Sequence, residues 1–429
     1  MKAAFYTLGC KVNQYESQSI ELELVRKGFE IVRSDEEADV YIVNSCTVTA
    51  ESDRKTRQSV RHLRKLHPDA VIVLTGCMPQ ASPEMAERLI EADIVTGNRS
   101  NAIIPELLDR FFKERQRIIH IKPHENHESF SGPLISDFRE RTRATVKIQD
   151  GCNRFCTYCI IPFARGRIRS KSLEDIKKEV SSLEKKGFSE IVLVGINLSS
   201  YGMETGKMNI CDAVELVASF PGIKRIRLGS LEPDYMTPEV TDRLKNCSKL
   251  CPQFHLSLQS GCDKTLKRMN RHYTTEEYKE LCDRLRASFP DTTLTTDIMV
   301  GFAGETEEDF LESVQYVRTI GFEKVHVFPY SQRAGTKAAT FPDQIENKEK
   351  ARRSHEMIKA AQEVRDEFLK AQIGRTVSVL FEERLRDGSF QGYTANYTPV
   401  RIKCPAIPKG IVDVKITGVG EDWCTGDLV

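Results

Sequence analysis

The chain has 429 residues, enough for two to four domains, so a single small module is excluded. Its 63 Lys and Arg residues nearly balance its 62 Asp and Glu residues, so any nucleic acid has to be met by a local basic patch. Hydrophobic residues make up 40%, which excludes a disordered protein, and the longest apolar runs are well short of the ~20 residues that a membrane span needs.

The N-terminal quarter of the chain repeats an apolar run that ends in a small-residue turn and a cysteine. The runs are AAFYTLGC, DVYIVNSC and AVIVLTGC, which end at Cys10, Cys46 and Cys77. Helix-like stretches between them stop at Gly28 and Pro68, which is typical of βα units in a parallel sheet. Right-handed connections then place all three cysteines at the carboxyl edge of the sheet, where open α/β folds bind ligands. The spacing alone leaves open whether they are metal ligands or ordinary buried thiols.

Loop-like sequence from Lys122 to Phe138 separates this region from six strand-like runs with helical sequence between them. The runs are ATVKIQ, EIVLVG, RIRLGS, FHLSLQ, TLTTDIMVG and KVHVFPY, typical of a full or partial (β/α) barrel, whose chemistry lies at the carboxyl ends of its strands. A charged helical stretch from Asn347 to Gln372 precedes β-like sequence from Arg375 to Val429. We therefore predict an α/β protein with a parallel α/β domain over residues 1–121, a partial (β/α)6 barrel over residues 138–372 and a small β-barrel over residues 373–429.

The sharpest signal is Cys152, Cys156 and Cys159 in GCNRFCTYC, directly after the first predicted barrel strand. Three thiolates on a short loop suit a [4Fe-4S] cluster, which leaves one of its four irons open to substrate or cofactor. Zinc is one alternative, although no fourth Cys or His lies nearby at the usual spacing, and buried inert thiols are another. Cys247 and Cys251 have no third partner, and we expect core or incidental roles for them and for the remaining cysteines.

A C-x3-C-x2-C loop after the first strand of such a barrel resembles the radical S-adenosylmethionine enzymes. In that superfamily S-adenosylmethionine binds the open iron, and one electron from the cluster cleaves it to a 5′-deoxyadenosyl radical. The resemblance implies that Cys152, Cys156 and Cys159 hold a catalytic cluster and that S-adenosylmethionine is a cofactor.

The segments GCKVNQYES, VNSCTVT and TGCMPQ, the radical loop and the terminal β module together resemble the methylthiotransferases along essentially the whole chain. In that family three N-terminal cysteines hold an auxiliary [4Fe-4S] cluster, whose open iron handles the transferred sulfur. The resemblance therefore implies two [4Fe-4S] clusters, the auxiliary one on Cys10, Cys46 and Cys77.

Glycine or polar residues just past the barrel strands are the candidates for cofactor contacts, because the active end of such a barrel lies there. The resemblance assigns cofactor contacts to Tyr158, Gly195, Asn197, Ser230, Glu232 and Gln259. Asp297 ends another strand and could equally be a buried structural acid. Helix capping is the ordinary alternative for Asn197, Ser230 and Glu232.

Residues 139–171, around the radical loop, carry nine basic and two acidic residues, a net charge of +7. Such a patch can hold phosphates, and we expect RNA contacts from Arg165, Arg167 and Arg169, with a solvated helix face as the alternative. From Gly374 the chain resembles the TRAM domain, a small β-barrel that binds RNA in tRNA-modifying enzymes. The positive and negative charges of this module balance, so RNA binding by it would require either a one-sided distribution of those charges or recognition of RNA shape. Its aromatic side chains can stack on bases or fill the core: Phe381, Phe390, Tyr393 and Tyr397.

The opening GCKVNQYES differs from the forms usual in methylthiotransferases that act on isopentenyladenosine in tRNA or on a ribosomal protein. With HLSLQSGCDKTLKRMNRHYT and FPYSQRAGTKAA, it resembles the bacterial subgroup that methylthiolates C2 of N6-threonylcarbamoyladenosine at position 37, in the anticodon loop of tRNA. We expect a cytoplasmic enzyme, since no leader precedes the first strand, with an electron donor and a sulfur donor as further partners and no membrane. The alternatives are the same chemistry on isopentenyladenosine-37 tRNA or on a ribosomal protein side chain, and an iron-sulfur RNA-binding protein without catalysis.

Overall fold

The structure, a computed structural model, describes residues 1–126, 128–130, 132, 134–135, 142–408 and 410–429. Of the charged residues considered above, Arg139, Glu140, Arg141 and Lys409 lie outside these ranges, as does Phe138 at the end of the predicted linker. No helix in the described ranges is long and apolar enough to cross a membrane.

An N-terminal sheet of six parallel strands has the order β2-β1-β3-β4-β5-β6. Its strands are β1 (Lys2–Thr7), β2 (Glu30–Val32), β3 (Val40–Ser45), β4 (Val71–Gly76), β5 (Ile94–Thr96) and β6 (Ile118–His120). Its helices are α1 (Lys11–Arg26), α2 (Ala50–Leu66), α3 (Cys77–Ala81), α4 (Pro83–Glu87) and α5 (Ile104–Glu114). The first two helices end just before Gly28 and Pro68, as predicted.

Strands β3 and β4 are buried at every position, because helices cover both faces of the sheet. Leu24 of α1 and Leu108 of α5 lie in the core on one face, and Val60 and Leu63 of α2 lie in the core on the other. This covering explains why VYIVNS and VIVLTG are nearly continuous apolar runs.

The central region is a partial barrel of parallel strands, as predicted, built from the sheets β11-β10-β7 and β12-β13-β14-β15. An isolated bridge between Ile226 and Leu250 joins the two sheets. The barrel strands are β7 (Ala144–Lys147), β10 (Glu190–Val194), β11 (Arg225–Leu228), β12 (Ser230–Leu231), β13 (Gln253–Leu256), β14 (Thr293–Val300) and β15 (Lys324–Pro329). Two short strands, β8 (Gln149–Asp150) and β9 (Arg169–Ser170), form a separate antiparallel pair. The helices are α6 (Ile161–Arg165), α7 (Leu173–Lys185), α8 (Ile210–Ala218), α9 (Pro238–Leu244), α10 (Asp263–Arg268), α11 (Thr275–Ser288), α12 (Glu307–Ile320) and α13 (Asn347–Lys370).

The C-terminal strands form a closed barrel of order β16-β17-β18-β20-β19, which confirms the predicted β module. They are β16 (Thr376–Arg384), β17 (Phe390–Thr394), β18 (Pro399–Ile402), β19 (Ile411–Val419) and β20 (Cys424–Leu428). Phe381, Phe390 and Leu369 of α13 share its core, so two of the four aromatic residues considered for base stacking are core residues. The exact domain boundaries stay a prediction.

Candidate functional site

The three N-terminal cysteines lie at the ends of three adjacent strands. Cys10 follows β1 and precedes α1, Cys46 follows β3, and Cys77 is the first residue of α3 after β4. Because β1, β3 and β4 are neighbours, all three residues meet at the carboxyl edge of the sheet, as predicted. We call them the first triad.

Two glycines form the turns that carry this triad. Gly9 has φ +106°, and a Cβ there would lie 2.8 Å from Cys46 Cβ. Gly76 has φ +100°, and a Cβ there would lie 2.5 Å from the Ser45 carbonyl oxygen. A side chain at either position would therefore push the cysteine-bearing turns apart.

Asn13, in the first turn of α1, contacts all three turns. Its Nδ2 donates to the Ser45 carbonyl oxygen at 2.9 Å, just before Cys46. Its Oδ1 lies 3.8 Å from Cys10 Sγ and 3.9 Å from Cys77 Sγ. One amide therefore fixes the relative positions of the three cysteines.

Cys152, Cys156 and Cys159, the second triad, lie on the loop between β8 and α6. Arg271 Nη1 donates to Cys156 Sγ at 3.2 Å, and Asn197 Nδ2 lies 3.9 Å from Cys152 Sγ. Polar side chains from other parts of the barrel thus hold the loop at two of its three sulfurs.

The two donor sets fit iron-sulfur clusters better than single zinc ions. In a tetrahedral site with Zn–S bonds of about 2.3 Å, the sulfur atoms stand about 3.8 Å apart. Within the described ranges, only Cys262, Asp309 and Glu312 form a group of three possible ligands whose donor atoms all lie within 4.8 Å of one another. Neither triad is that compact, and three thiolates leave one iron of a [4Fe-4S] cluster open.

Burial raises the pKa of several of these thiols. The pKa of Cys77 is raised to about 12, and the pKa values of Cys46, Cys152 and Cys159 are also raised, with neighbouring cysteines as a further cause. Such thiols are protonated at neutral pH, so metal binding here releases protons.

A buried ion network joins the two triads. Arg165, which follows the second triad in α6, donates to Asn13 at 2.8 Å and to Glu16 of α1 at 2.5 Å. It also contacts Asp150, just before the second triad, at 3.4 Å, and Lys147 donates to the same carboxylate at 2.7 Å. Burial alone would raise the pKa of Asp150, but Lys147 and Arg165 outweigh it and lower that pKa. The network therefore stays charged at neutral pH.

Gly195 and Asn197 follow β10, next to the second triad. The Asn197 N–H donates to Gln149 Oε1 at 2.8 Å, and a Cβ at Gly195 would lie 2.7 Å from the same oxygen. Asn197 Oδ1 is buried and has no hydrogen-bond partner in the described part of the chain. A buried acceptor without a partner beside Cys152 fits a bound group that donates a hydrogen bond.

Glu232 lies in a buried ion pair at the same loop. Its Oε1 is 2.5 Å from Arg271 and 3.8 Å from Arg154. Burial raises the pKa of Glu232 against the opposing effect of both arginines.

The helix-capping alternative is wrong for Asn197 and Glu232, since each precedes a short 3-10 turn without a side-chain cap hydrogen bond. Ser230 is exposed within β12.

The other predicted contact residues are Tyr158 and Gln259. Tyr158 contacts Phe302 edge-on, with ring centroids 6.4 Å apart. Gln259 has φ +72°, and its N–H donates to the Asp297 carbonyl oxygen at 2.8 Å. The Asp297 carboxylate lies 3.2 Å from His255 Nε2, inside the barrel. Cofactor roles for all these strand-end residues stay predictions.

A cavity of about 650 Å³ is lined by all three parts of the chain. Its wall includes Cys10 and Lys11, Gly195 and Ser230 at the barrel strand ends, and Tyr397 of the C-terminal barrel. Cavities of this size commonly hold small molecules or cofactors.

Four of the seven basic residues of the predicted patch that the structure describes are buried. Arg165 is 1% exposed and lies in the network described above, and Arg169, 8% exposed, donates to the carbonyl oxygens of Arg165 and Arg167. Lys147 and Lys171 are buried too. These side chains are not available to phosphates, which corrects the RNA-contact prediction for Arg165 and Arg169.

Arg167 is exposed, as an RNA contact requires. Its guanidinium lies 4.6 Å above the Phe155 ring, and Phe155 and Phe163 are 38% and 53% exposed. Exposed aromatic rings beside an arginine suit stacking on unpaired bases. An RNA contact at Arg167 stays a prediction.

Three polar residues at the triads were missed from the sequence: Asn13, Arg271 and Asn98. Asn98 Nδ2 donates to the Ala164 carbonyl oxygen at 2.7 Å and lies 3.8 Å from Cys77 Sγ. Its position just after β5, at the same sheet edge as the first triad, was a usable signal. Nothing in the local sequence around Arg271 indicates contact with Cys156, 115 residues away.

Three family profiles match the chain. They are the Radical SAM superfamily over residues 146–317, the Uncharacterized protein family UPF0004 over residues 2–97 and the TRAM domain over residues 370–429.

Curated proteins are similar over the whole length. Threonylcarbamoyladenosine tRNA methylthiotransferase MtaB of Bacillus subtilis (strain 168) is 37% identical over 99% of this chain and 96% of its own length. The protein of the same name from Chlamydia pneumoniae is 37% identical over 98% of this chain and 97% of its own length. The tRNA-2-methylthio-N(6)-dimethylallyladenosine synthase of Pelotomaculum thermopropionicum is 34% identical over 100% of this chain and 97% of its own length.

Among solved structures, the radical S-adenosylmethionine methyltransferase TsrM from Kitasatospora setae has a TM-score of 0.57 at 14% identity. The match covers 76% of this chain and 74% of TsrM. The match shows that this chain and TsrM share a fold over the matched region.

Proposed function

Since the chain belongs to the radical S-adenosylmethionine methylthiotransferases, we propose that it transfers a methylthio group to C2 of N6-threonylcarbamoyladenosine at position 37 of tRNA. The observation that carries the proposal is the pair of cysteine triads joined by Arg165. The names of the full-length relatives at 37% identity support the nucleoside.

Each triad would hold one [4Fe-4S] cluster, the first through Cys10, Cys46 and Cys77 and the second through Cys152, Cys156 and Cys159. When bound, the clusters and S-adenosylmethionine supply the radical and the methylthio group. Side-chain acids and bases cannot remove an aromatic hydrogen at neutral pH, which is why the reaction needs such groups.

The residues around the second triad would position the cofactor. Asn197 offers a free acceptor, Oδ1, to a donor bound beside Cys152. Arg271 donates to Cys156 and to Glu232, so it fixes the loop against the strand end.

The substrate base would reach the cavity by leaving its stack, which costs little in a single-stranded loop. Tyr393 and Tyr397 stack on each other with ring centroids 4.5 Å apart, and both line the cavity. The proposal includes a cytoplasmic site of action, where thiols stay reduced, together with an electron donor and a sulfur donor.

Mass spectrometry of tRNA nucleosides from a strain without the gene tests the proposal. We expect 2-methylthio-N6-threonylcarbamoyladenosine to disappear and N6-threonylcarbamoyladenosine to remain. Loss of the methylthio mark on isopentenyladenosine, or on a ribosomal protein, would assign the other substrates instead. A reduced protein that does not cleave S-adenosylmethionine would exclude the enzyme altogether.

A further inference from the structure

An ammonium group without an anionic partner lies in the cavity next to the first triad. Lys11 follows Cys10, lines the cavity and has an exposed side chain. It forms no ion pair or hydrogen bond with the described residues, and its Nζ lies 5.9 Å from the centroid of the Tyr397 ring.

The carboxylates near Lys11 are already paired with arginines. Glu190 binds Arg227 at 2.7 Å, and Glu382 binds Arg143 at 3.1 Å. Lys11 therefore has no ion pair of its own and lies within electrostatic range of two further cations, Arg143 and Arg227, a setting that attracts an anion.

Most other cations that line the cavity have partners of their own. Lys324 binds Asp422 at 3.1 Å, and Arg365 binds the same carboxylate at 2.9 Å. Arg401 donates to Gln391 and lies over the Trp423 ring in the C-terminal barrel. Within the described ranges, Lys11 is thus the cation of the cavity wall that adjoins Cys10 and has no partner of its own.

The proposed nucleoside carries an anion of the matching kind. A threonylcarbamoyl group ends in a carboxylate, whereas the dimethylallyl group named for the relative from Pelotomaculum thermopropionicum contains only carbon and hydrogen. C2 and C6 flank N1 of the adenine ring, and C6 carries N6, so a contact to the N6 substituent also positions C2.

We propose that Lys11 binds the carboxylate of the threonylcarbamoyl group and thereby selects this nucleoside over one with a hydrocarbon substituent. The inference rests on the proposed function. Because Lys11 adjoins Cys10, the contact holds C2 near the first triad. The methionyl group of S-adenosylmethionine is the other possible source of a carboxylate, and the experiment separates the two.

The test measures binding of anticodon stem-loop RNAs to the cluster-loaded, full-length protein without S-adenosylmethionine. The RNAs carry threonylcarbamoyladenosine, its methyl ester or unmodified adenosine at position 37. The wild-type protein is expected to bind the acid about tenfold or more tightly than the ester, because a hydrogen bond between charged groups is lost in the ester. Lys11→Met should bind both equally, and Lys11→Arg should keep the preference.

A lysine outside the cavity gives the matched control. Lys65→Met, on the exposed face of α2, should keep the wild-type preference, and iron content verifies that each variant is folded and loaded. If Lys11→Met still prefers the acid over the ester, the inference is wrong.

Equilibrium dialysis with S-adenosylmethionine tests whether Lys11 binds the methionyl carboxylate instead, by measuring the affinity of wild type and Lys11→Met for this cofactor. Unchanged cofactor affinity in Lys11→Met supports the inference, and lost cofactor affinity with retained RNA preference overturns it. A wild-type protein that neither prefers the threonylcarbamoyl RNA nor converts it would overturn the proposed function together with the inference. Conversion by the wild type with an unaltered preference in Lys11→Met would overturn the inference alone.

Discussion

Arg165 serves both triads with one side chain. It reaches Asn13, which contacts Cys10 and Cys77, and it reaches Asp150, which precedes the second triad. A buried charge is tolerated when its partners compensate it, and removing one partner costs about 3–5 kcal/mol. The arginine therefore stabilises the fold and fixes the relative position of the two cysteine sets.

Cys156 tests the role of the second triad. Cys156→Ala is expected to abolish 5′-deoxyadenosine formation and to lower bound iron from about eight to about four per chain, because one cluster loses a ligand. Chromatography of the products after chemical reduction, with iron quantification, measures both. Cys247→Ala, a half-buried cysteine outside the triads, should change neither. Continued 5′-deoxyadenosine formation by Cys156→Ala would mean that this loop does not hold the radical cluster.

At the scale of elements, the turn from β4 into α3 positions the first triad. The strand delivers Cys77 to the sheet edge, and Gly76 lets the chain enter the helix at a φ that other residues rarely adopt. Ser45 Oγ donates to the Thr75 carbonyl oxygen at 2.6 Å and accepts from the Met78 N–H at 3.1 Å. The turn is therefore held from both sides by the neighbouring strand.

Gly76→Ala is expected to displace α3 and to remove the first cluster alone. A Cβ there would lie 2.5 Å from the Ser45 carbonyl oxygen, which is backbone and cannot move aside. We expect about four irons per chain, retained 5′-deoxyadenosine formation and no methylthio transfer, as measured by iron content and nucleoside mass spectrometry.

Gly28→Ala is the control for backbone strain. Gly28 also has a positive φ, +86°, but nothing lies within 4 Å of an added Cβ. The substitution should cost roughly 1–2 kcal/mol of stability and keep both clusters. Equal iron loss in Gly76→Ala and Gly28→Ala would show that backbone strain alone, and not the contact with Ser45, explains the loss of the first cluster.

At the scale of the whole molecule, hydrogen bonds from β11 of the central barrel hold the C-terminal barrel in place. Arg225 donates to the Ser378 carbonyl oxygen at 2.9 Å, and Arg227 donates to the carbonyl oxygens of Thr394 and Ala395 at 2.7 and 2.8 Å. This attachment places the tyrosines of the C-terminal barrel at the cavity.

Glu190 makes this interface sensitive to acid. Burial raises its pKa, but Arg227, Arg143 and Arg225 outweigh burial and lower that pKa below its usual value. The carboxylate therefore stabilises the fold above its unfolded pKa of about 4.3, and this contribution is lost as the pH falls through the lower folded pKa.

Glu190→Gln is expected to destabilise the protein at pH 7 by about 3–5 kcal/mol, because it leaves buried arginines without their carboxylate. The difference from wild type should narrow as the pH falls below about 4, where wild-type Glu190 also becomes neutral. Urea unfolding at pH 7 and at a pH below about 4 measures this difference in stability. Glu276→Gln, on the exposed face of α11, is the control. A loss of equal size at both pH values would contradict the expectation.

Local sequence was enough to predict the parallel sheet, the barrel strands, the terminal β module and the edge at which Cys10, Cys46 and Cys77 meet. Each of these follows from a signal between near neighbours: a continuous apolar run, a helix stop or a cysteine at a strand end. The C-x3-C-x2-C spacing is equally local, so the second triad could be recognised without the fold.

Charge pairing could not be predicted in that way. Arg165 meets Glu16 across 149 residues, and Arg271 meets Cys156 across 115. The arginines after the radical loop looked like a surface patch, and only the tertiary structure shows that Arg165 and Arg169 are buried while Arg167 is exposed. The physical reason is that sequence periodicity encodes which face of an element is apolar, whereas the partner of a charged group depends on which distant segment packs against it.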